Sequence, residues 1–198
     1  MSLETFPKYF NRDLSWLKFN DRVLYQTHNS QVPLLERLRF LAIFSSNLDE
    51  FFMKRAGYLK RQASRSAAGM GLENLTLPTI MDEVRKVVQR QILDRHNCYE
   101  KLLMPELSKN GIQFLKWDDL TGEEKDLAKD YFQNKVFPVL TPLAVDKSHP
   151  FPFLSNLSVS LGLVLSHPKK GETYFARVKV PDVLPQWVQI GVSKDGSY

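Results

Sequence analysis

The sequence has a single cysteine, Cys98, in 198 residues. That excludes an intramolecular disulfide and fits a reducing compartment. No stretch approaches the ~18 consecutive apolar residues that a membrane-spanning helix needs. The opening MSLETFPKYF has no apolar core of the kind a secretory signal carries, and Met1-Ser2-Leu3 reads as a vector remnant. Zinc-finger spacing and RNA-recognition signatures are missing, so nucleic acid is not expected as a partner. Histidines are few: His28, His96, His149 and His167. Internal repeats and low-complexity tracts are absent.

What is present is an ordinary globular composition, 43% hydrophobic and 25% charged, far from disordered or fibrous extremes. The formal net charge of +5 permits a phosphate-bearing partner without demanding one.

Apolar periodicity predicts three helical stretches first. Asn11 or Asp13 can cap a helix through about Tyr25, with Trp16, Leu17, Asn20, Val23 and Leu24 on its buried face. Asn20 is a polar intruder on that stripe; it and Arg22 either hold hydrogen bonds between helices or serve a site. Pro33 suits the first turn of a second helix, which carries two largely apolar stripes: Leu34, Leu38, Leu41, Ser45, Leu48, Phe52 and Leu59, then Phe40, Phe44, Asn47 and Phe51. Two stripes imply contact on both sides, as in a bundle. Ser45-Ser46-Asn47 is poor helix material and predicts a bend or restart there. After a Ser-, Ala- and Gly-rich loop over 63–77, Pro78 opens a third helix, which Pro105 should end or kink and Asn110-Gly111 should stop. Cys98 lies on its apolar stripe and reads as a buried thiol.

Beyond residue 110 the texture changes. Ile112 to Leu115 reads as a short strand. Thr121 and Glu124 form a capping box for a helix through about Lys135. Pro138, Pro142, Pro150 and Pro152 punctuate an irregular, extended stretch. Ser158 to Ser166 and Tyr174 to Val180 alternate like paired strands, and Trp187 to Val192 reads as a third. The expected fold class is therefore α+β overall: an all-α helical bundle over 1–110, then an α+β domain with antiparallel strands over 111–198. The second domain reads as cut short, because three strands and one helix leave open sheet edges.

Several blocks carry a resemblance. RDLSWLKFNDRVL (12–24), PLLERLRFLAIFSSNLDEFFM (33–53), FPVLTPLAVD (137–146), HPFPFL (149–154) and FARVKVP (175–181) occur in the order found in polyphosphate kinases of the histidine-phosphorylating, long-chain-synthesising class. Together they cover most of the chain. The resemblance implies the N-terminal domain and the start of the head domain of such an enzyme. Its activity would be reversible transfer of the ATP γ-phosphate to inorganic polyphosphate through a phosphohistidine, with ATP/ADP and Mg2+ as cofactors, phosphoprotein character, and a homo-oligomer formed through the head domain. A cytoplasmic setting, with or without peripheral membrane association, goes with it. None of the four histidines sits in a block resembling the family's catalytic segment, so no catalytic residue and no metal ligand are expected here. Gln186 stands where the family commonly has Arg.

The resemblance places Asn47 at the adenine end of an ATP site. A carboxamide offers both a donor and an acceptor to a base edge. Asn47 and Glu50 also have capping-box spacing, so capping a restarted helix is the alternative role, and the two can coexist. Asp49 and Glu50 are adjacent and do not face one another on a helix, which disfavours a metal pair. Lys54, Arg55, Lys60, Arg61 and Arg65 form a basic run. Lys54, Arg61 and Arg65 should share one helical face, either as a polyanion contact or as a solvated surface. The main rival to the whole reading is a stand-alone, non-enzymatic helical module that binds a phosphate polymer or nucleotide; a weaker one is a nucleic-acid-binding helical domain.

Overall fold

The computed structural model describes residues 10–65, 77–167, 169 and 171–190, without the side chains of residues 62–65 and 77. The chain divides into two compact units, Met1–Gln113 and Phe114–Tyr198. The α+β class expected from the sequence holds: helices dominate the first unit and an antiparallel sheet marks the second.

In the first unit, α1 spans Arg12–His28, α2 Leu34–Phe51, α3 Gly57–Arg65, α4 Leu77–Cys98 and α5 Met104–Lys109. Asn11 is the residue that caps α1. Its Oδ1 accepts from the backbone N–H of Asp13 and of Leu14, both at 3.0 Å, satisfying two of the donors a helix start leaves free. Leu17 and Leu24 from α1, Leu41, Phe44, Leu48 and Phe51 from α2, and Ile80, Val84, Val88 and Cys98 from α4 form one core. The heptad-like spacing of these residues dictates which faces meet.

Two expectations for these helices need correction. α2 runs unbroken through Ser45-Ser46-Asn47. Ser45 Oγ donates back to the Leu41 carbonyl at 3.0 Å, so the serine's competing donor is absorbed within the helix rather than breaking it. The irregularity comes later, as a π-helical turn over Phe52–Ala56 that leads into α3. Pro105 does not end the run of helical turns either. A π turn over Tyr99–Leu103 precedes it, and Pro105 sits near the start of α5, where its missing N–H is tolerated. The stop at Asn110-Gly111 is as expected. Gly111 has φ 79°, its N–H reaches the Ser108 carbonyl at 3.1 Å, and Ile112 N–H reaches the Leu107 carbonyl at 2.9 Å. That double closure is a Schellman motif.

In the second unit, α6 spans Gly122–Tyr131, β1 Pro142–Val145, β2 Ser160–Ser166 and β3 Thr173–Lys179. Thr121 caps α6 reciprocally with Glu124: the Glu124 N–H donates to Thr121 Oγ1 at 3.3 Å and the Thr121 N–H to Glu124 Oε2 at 2.8 Å. Those hydrogen bonds from Thr121 hold the Glu124 carboxyl below its ordinary pKa. The sheet order is β1-β3-β2, all antiparallel. Central β3 buries Ala176, Arg177 and Val178, and the Arg177 Nε donates to Ser160 Oγ at 3.1 Å.

Three strand expectations change here. Ile112–Leu115 is irregular rather than a strand, and the Ile112 N–H is drawn back onto α5. Residues 187–190 are irregular, and 191–192 lie outside the described residues. The third strand is instead β1, inside the proline-punctuated stretch. Pro142 is its first residue on an edge strand, a place where the lost donor does no harm.

Candidate functional site

The first turns of α1, the last two turns of α2 and the π turn that follows enclose a groove of about 320 Å³ lined by Arg12, Asp13, Trp16, Phe19, Asn47, Glu50, Phe51, Lys54 and Arg55. Trp16 and Phe51 stack at 5.1 Å with their planes 18° apart, giving it an apolar wall. Phe19 stays 46% exposed, with the Arg22 guanidinium 5.5 Å from its ring centre.

The floor is fixed by an ion pair that local spacing does not announce. Asp13 is buried and accepts from Arg55 twice, Nε to Oδ1 at 2.8 Å and Nη2 to Oδ2 at 3.1 Å. This fork geometry is the strong form of the carboxylate–guanidinium contact. The hydrogen bond to Asp13 holds the Arg55 pKa above its ordinary value, against the opposing effect of burial. Arg55 also lies 5.3 Å from the Tyr58 ring centre. Arg55 belongs to the π turn, so the pair fastens that turn to the start of α1.

Asn47 caps nothing. It sits within α2, half-buried, and its Nδ2 donates to Oδ1 of Asn20 at 3.0 Å. Asn20 is fully buried and donates its own Nδ2 to the Phe44 carbonyl at 3.2 Å. The polar intruder of the α1 stripe is therefore a bridge between the two helices. Among the described residues no protein donor reaches Asn47 Oδ1.

The basic run is only partly gathered at this groove. Lys54 lines it and is paired with Glu50 one turn back. The Arg61 guanidinium folds back beside Gly57, where an added Cβ would stand 3.9 Å from Nη1. The Arg65 side chain lies outside the described residues. Because the π turn inserts an extra residue into the helical count, spacing alone overstates how well Lys54 aligns with Arg61. Arg12, Asp13 and Arg55 are groove residues that periodicity did not single out. Arg12 and Asp13 open the first motif block, which was the signal available for them. Arg12 makes no ion pair among the described residues.

A larger groove of about 600 Å³ lies between α1 and α4, lined by residues including Lys18, Arg22, His28, Arg90 and Asp94. Within it Arg90 Nη2 meets Asp21 Oδ2 at 2.5 Å, and His28 Nε2 lies 3.4 Å from Asp94 Oδ1 without making a hydrogen bond. It offers no convergent polar set comparable to Asn47 with its aromatic wall, so size does not decide between the two. His149 is exposed, with Nδ1 3.1 Å from Asp146 Oδ1. Backbone N–H groups of His149 and Ser148 hold the Asp146 carboxyl below its ordinary pKa. His167 accepts from the Lys169 N–H at 3.2 Å. Among the described residues no three acidic, histidine or cysteine side chains gather where they could hold a metal ion. Nor is any helix long and apolar enough to cross a membrane.

Comparison with known proteins gives a consistent answer over both units. The family model for the polyphosphate kinase N-terminal domain matches residues 9–115, and that for the polyphosphate kinase middle domain matches 123–198. A polyphosphate kinase of Thermosynechococcus vestitus is 44% identical over 182 residues, covering 92% of this chain and 25% of that protein. One from Mycobacterium marinum is 44% identical over 185 residues, covering 93% and 25%. The crystal structure of a polyphosphate kinase from Porphyromonas gingivalis superposes with a TM-score of 0.78 at 26% identity, over 98% of this chain and 28% of that one. The chain thus spans about a quarter of the length of the curated relatives it matches.

Proposed function

The chain belongs to the polyphosphate kinase family, and on that premise we propose that it is the nucleotide-side portion of a longer phosphotransferase. That protein reversibly moves the ATP γ-phosphate onto inorganic polyphosphate through a phosphohistidine carried outside this chain. The share of this segment is recognition. Asn47 contacts the base, Trp16 and Phe51 give it an apolar wall, and the cations at the groove rim favour the phosphates. Lys54, Arg61 and Arg65 form a secondary polyanion contact. The rest of the protein supplies the transfer chemistry. ATP and ADP are the nucleotides, the setting is cytoplasmic with or without peripheral membrane contact, and the assembly is a homo-oligomer through the second unit. Magnesium would neutralise phosphate charge during transfer; among the described residues the acidic side chains do not converge to hold it, and no step is assigned to it here.

The observation that carries this reading is the joining of a half-buried, only partly satisfied carboxamide to an aromatic wall within one groove. The stand-alone binding module is not favoured, because the relatives aligned over the same residues are polyphosphate kinases. Photolabelling of the full-length protein with 8-azido-ATP tests the reading. Label in peptides from α1 and α2, chased by ATP, is expected. Label confined to segments beyond Tyr198 would overturn it.

A further inference from the structure

The geometry points to Asn20 as a positioning residue that sets the base preference of the nucleotide site by locking the amide of Asn47 in one of its two orientations. This rests on the reading of Asn47 given above and deepens it.

The argument is one of hydrogen-bond polarity. The Phe44 backbone carbonyl can only accept. Asn20 Nδ2 meets it at 3.2 Å, so Asn20 must turn its own carbonyl away, toward α2. That carbonyl can only accept in turn, and the group it meets at 3.0 Å is Asn47 Nδ2. Reversing Asn47 would set two carbonyl oxygens against each other. Reversing Asn20 as well would set its oxygen against that of Phe44. Asn20 is fully buried, so no water is at hand to relieve either clash, and an unmade hydrogen bond there carries its full penalty. A backbone atom of α2 therefore dictates, through a residue of α1, which face of the Asn47 amide is left over.

What is left over is the Oδ1 acceptor and the second Nδ2 hydrogen. An adenine edge offers an amino donor beside a ring-nitrogen acceptor, which matches that pair. A 6-oxo purine such as hypoxanthine offers the reverse, a carbonyl beside an N–H. An amide free to rotate would read both bases equally well, whereas one held by Asn20 reads only the 6-amino base. Asn20 therefore gives Asn47 its selectivity without touching the nucleotide.

The test compares ATP with ITP in the full-length enzyme, unaltered and as Asn20→Leu, which keeps the shape and removes both polar groups. The unaltered enzyme is expected to favour ATP by roughly tenfold or more in kcat/KM, the scale of one bidentate amide–base contact. Asn20→Leu should bring the two nucleotides close to parity while kcat at saturating ATP stays within about threefold, a selective loss that a merely structural role would not give. Asn47→Ala serves as the control for the underlying contact. If it leaves the ATP KM unchanged, the contact and the inference both fall. If it raises that KM while the unaltered enzyme uses ITP as well as ATP, or while Asn20→Leu keeps the preference, the inference alone falls. Should Asn20→Leu fail to fold, the ATP-to-ITP ratio of the unaltered enzyme decides the matter, since parity there is incompatible with a locked amide.

Discussion

Asp13, in the first turn of α1, is gripped by both Nε and Nη2 of Arg55, 42 residues away in the π turn. Asp13 is buried while the Arg55 side chain is 32% exposed, so removing the arginine strands a desolvated carboxylate. Arg55→Ala is expected to destabilise the helical unit by about 2 kcal/mol, below the range for a fully buried pair because solvent still reaches the guanidinium. Arg55→Lys should recover only part of this, since an ammonium cannot reproduce the fork. Urea unfolding followed at 222 nm measures both; equal stability of Arg55→Ala and the parent would show the pair to be unimportant.

How much of this could be read from the sequence follows the range of the interactions. Features settled within four residues were legible: the Thr121–Glu124 capping box, the Asn110-Gly111 stop, and the apolar faces of α1, α2 and α4. Asn47 was marked out by motif resemblance rather than spacing, and spacing alone favoured a capping role that the helix does not give it. A bridging role was one of the two open to Asn20, but its partner Asn47 and the Asp13–Arg55 pair were not legible, because each pair joins helices whose relative rotation no local pattern states. The π turns were hidden for a related reason: a one-residue widening leaves the apolar periodicity on either side intact. β1 was missed because Pro142 reads as a breaker unless the strand is known to lie at an edge.

The buried thiol yields a second prediction. The Thr27 hydroxyl donates to the Leu24 carbonyl at 2.6 Å and lies 3.1 Å from Cys98 Sγ, so the thiol proton points to Thr27. Burial raises the Cys98 pKa above its ordinary 9.0. Folded protein at neutral pH should therefore resist iodoacetamide and react only on unfolding. The sign of the linkage follows. Below the unfolded thiol's pKa the group is neutral in both states. As pH rises past it, the unfolded chain loses its proton first and folding stability declines. Rapid alkylation of the folded protein would contradict this.

Arg37 is buried and donates from Nε to the Thr27 carbonyl at 2.7 Å and from Nη1 to Glu106 at 2.7 Å. It ties the end of α1 to α5. Glu106→Ala leaves that guanidinium short of its counter-charge and is expected to cost about 2 kcal/mol, the scale of a hydrogen bond to a charged group. Glu106→Gln should cost less. Denaturant midpoints distinguish them.

Gly111 closes α5 at φ 79°. Gly111→Ala should destabilise by about 1 kcal/mol, the scale of forcing a side chain into left-handed backbone. An unchanged melting temperature would mean that this turn relaxes freely.

The basic face invites a salt experiment. Neutralising Lys54, Arg61 and Arg65 together in the full-length enzyme should weaken polyphosphate binding severalfold at low ionic strength and flatten its dependence on salt, as expected when cations are removed from a polyanion contact. Identical affinity and identical salt slope would return these residues to a solvated helix face.

The most direct test of the central claim, that this segment reads the nucleotide through Asn47, is the steady-state KM for ATP of full-length Asn47→Ala. An increase of about tenfold or more, with kcat at saturation little changed, is the expected result, because the lost contact binds substrate and transition state alike. A KM for ATP equal to that of the parent enzyme would contradict the account.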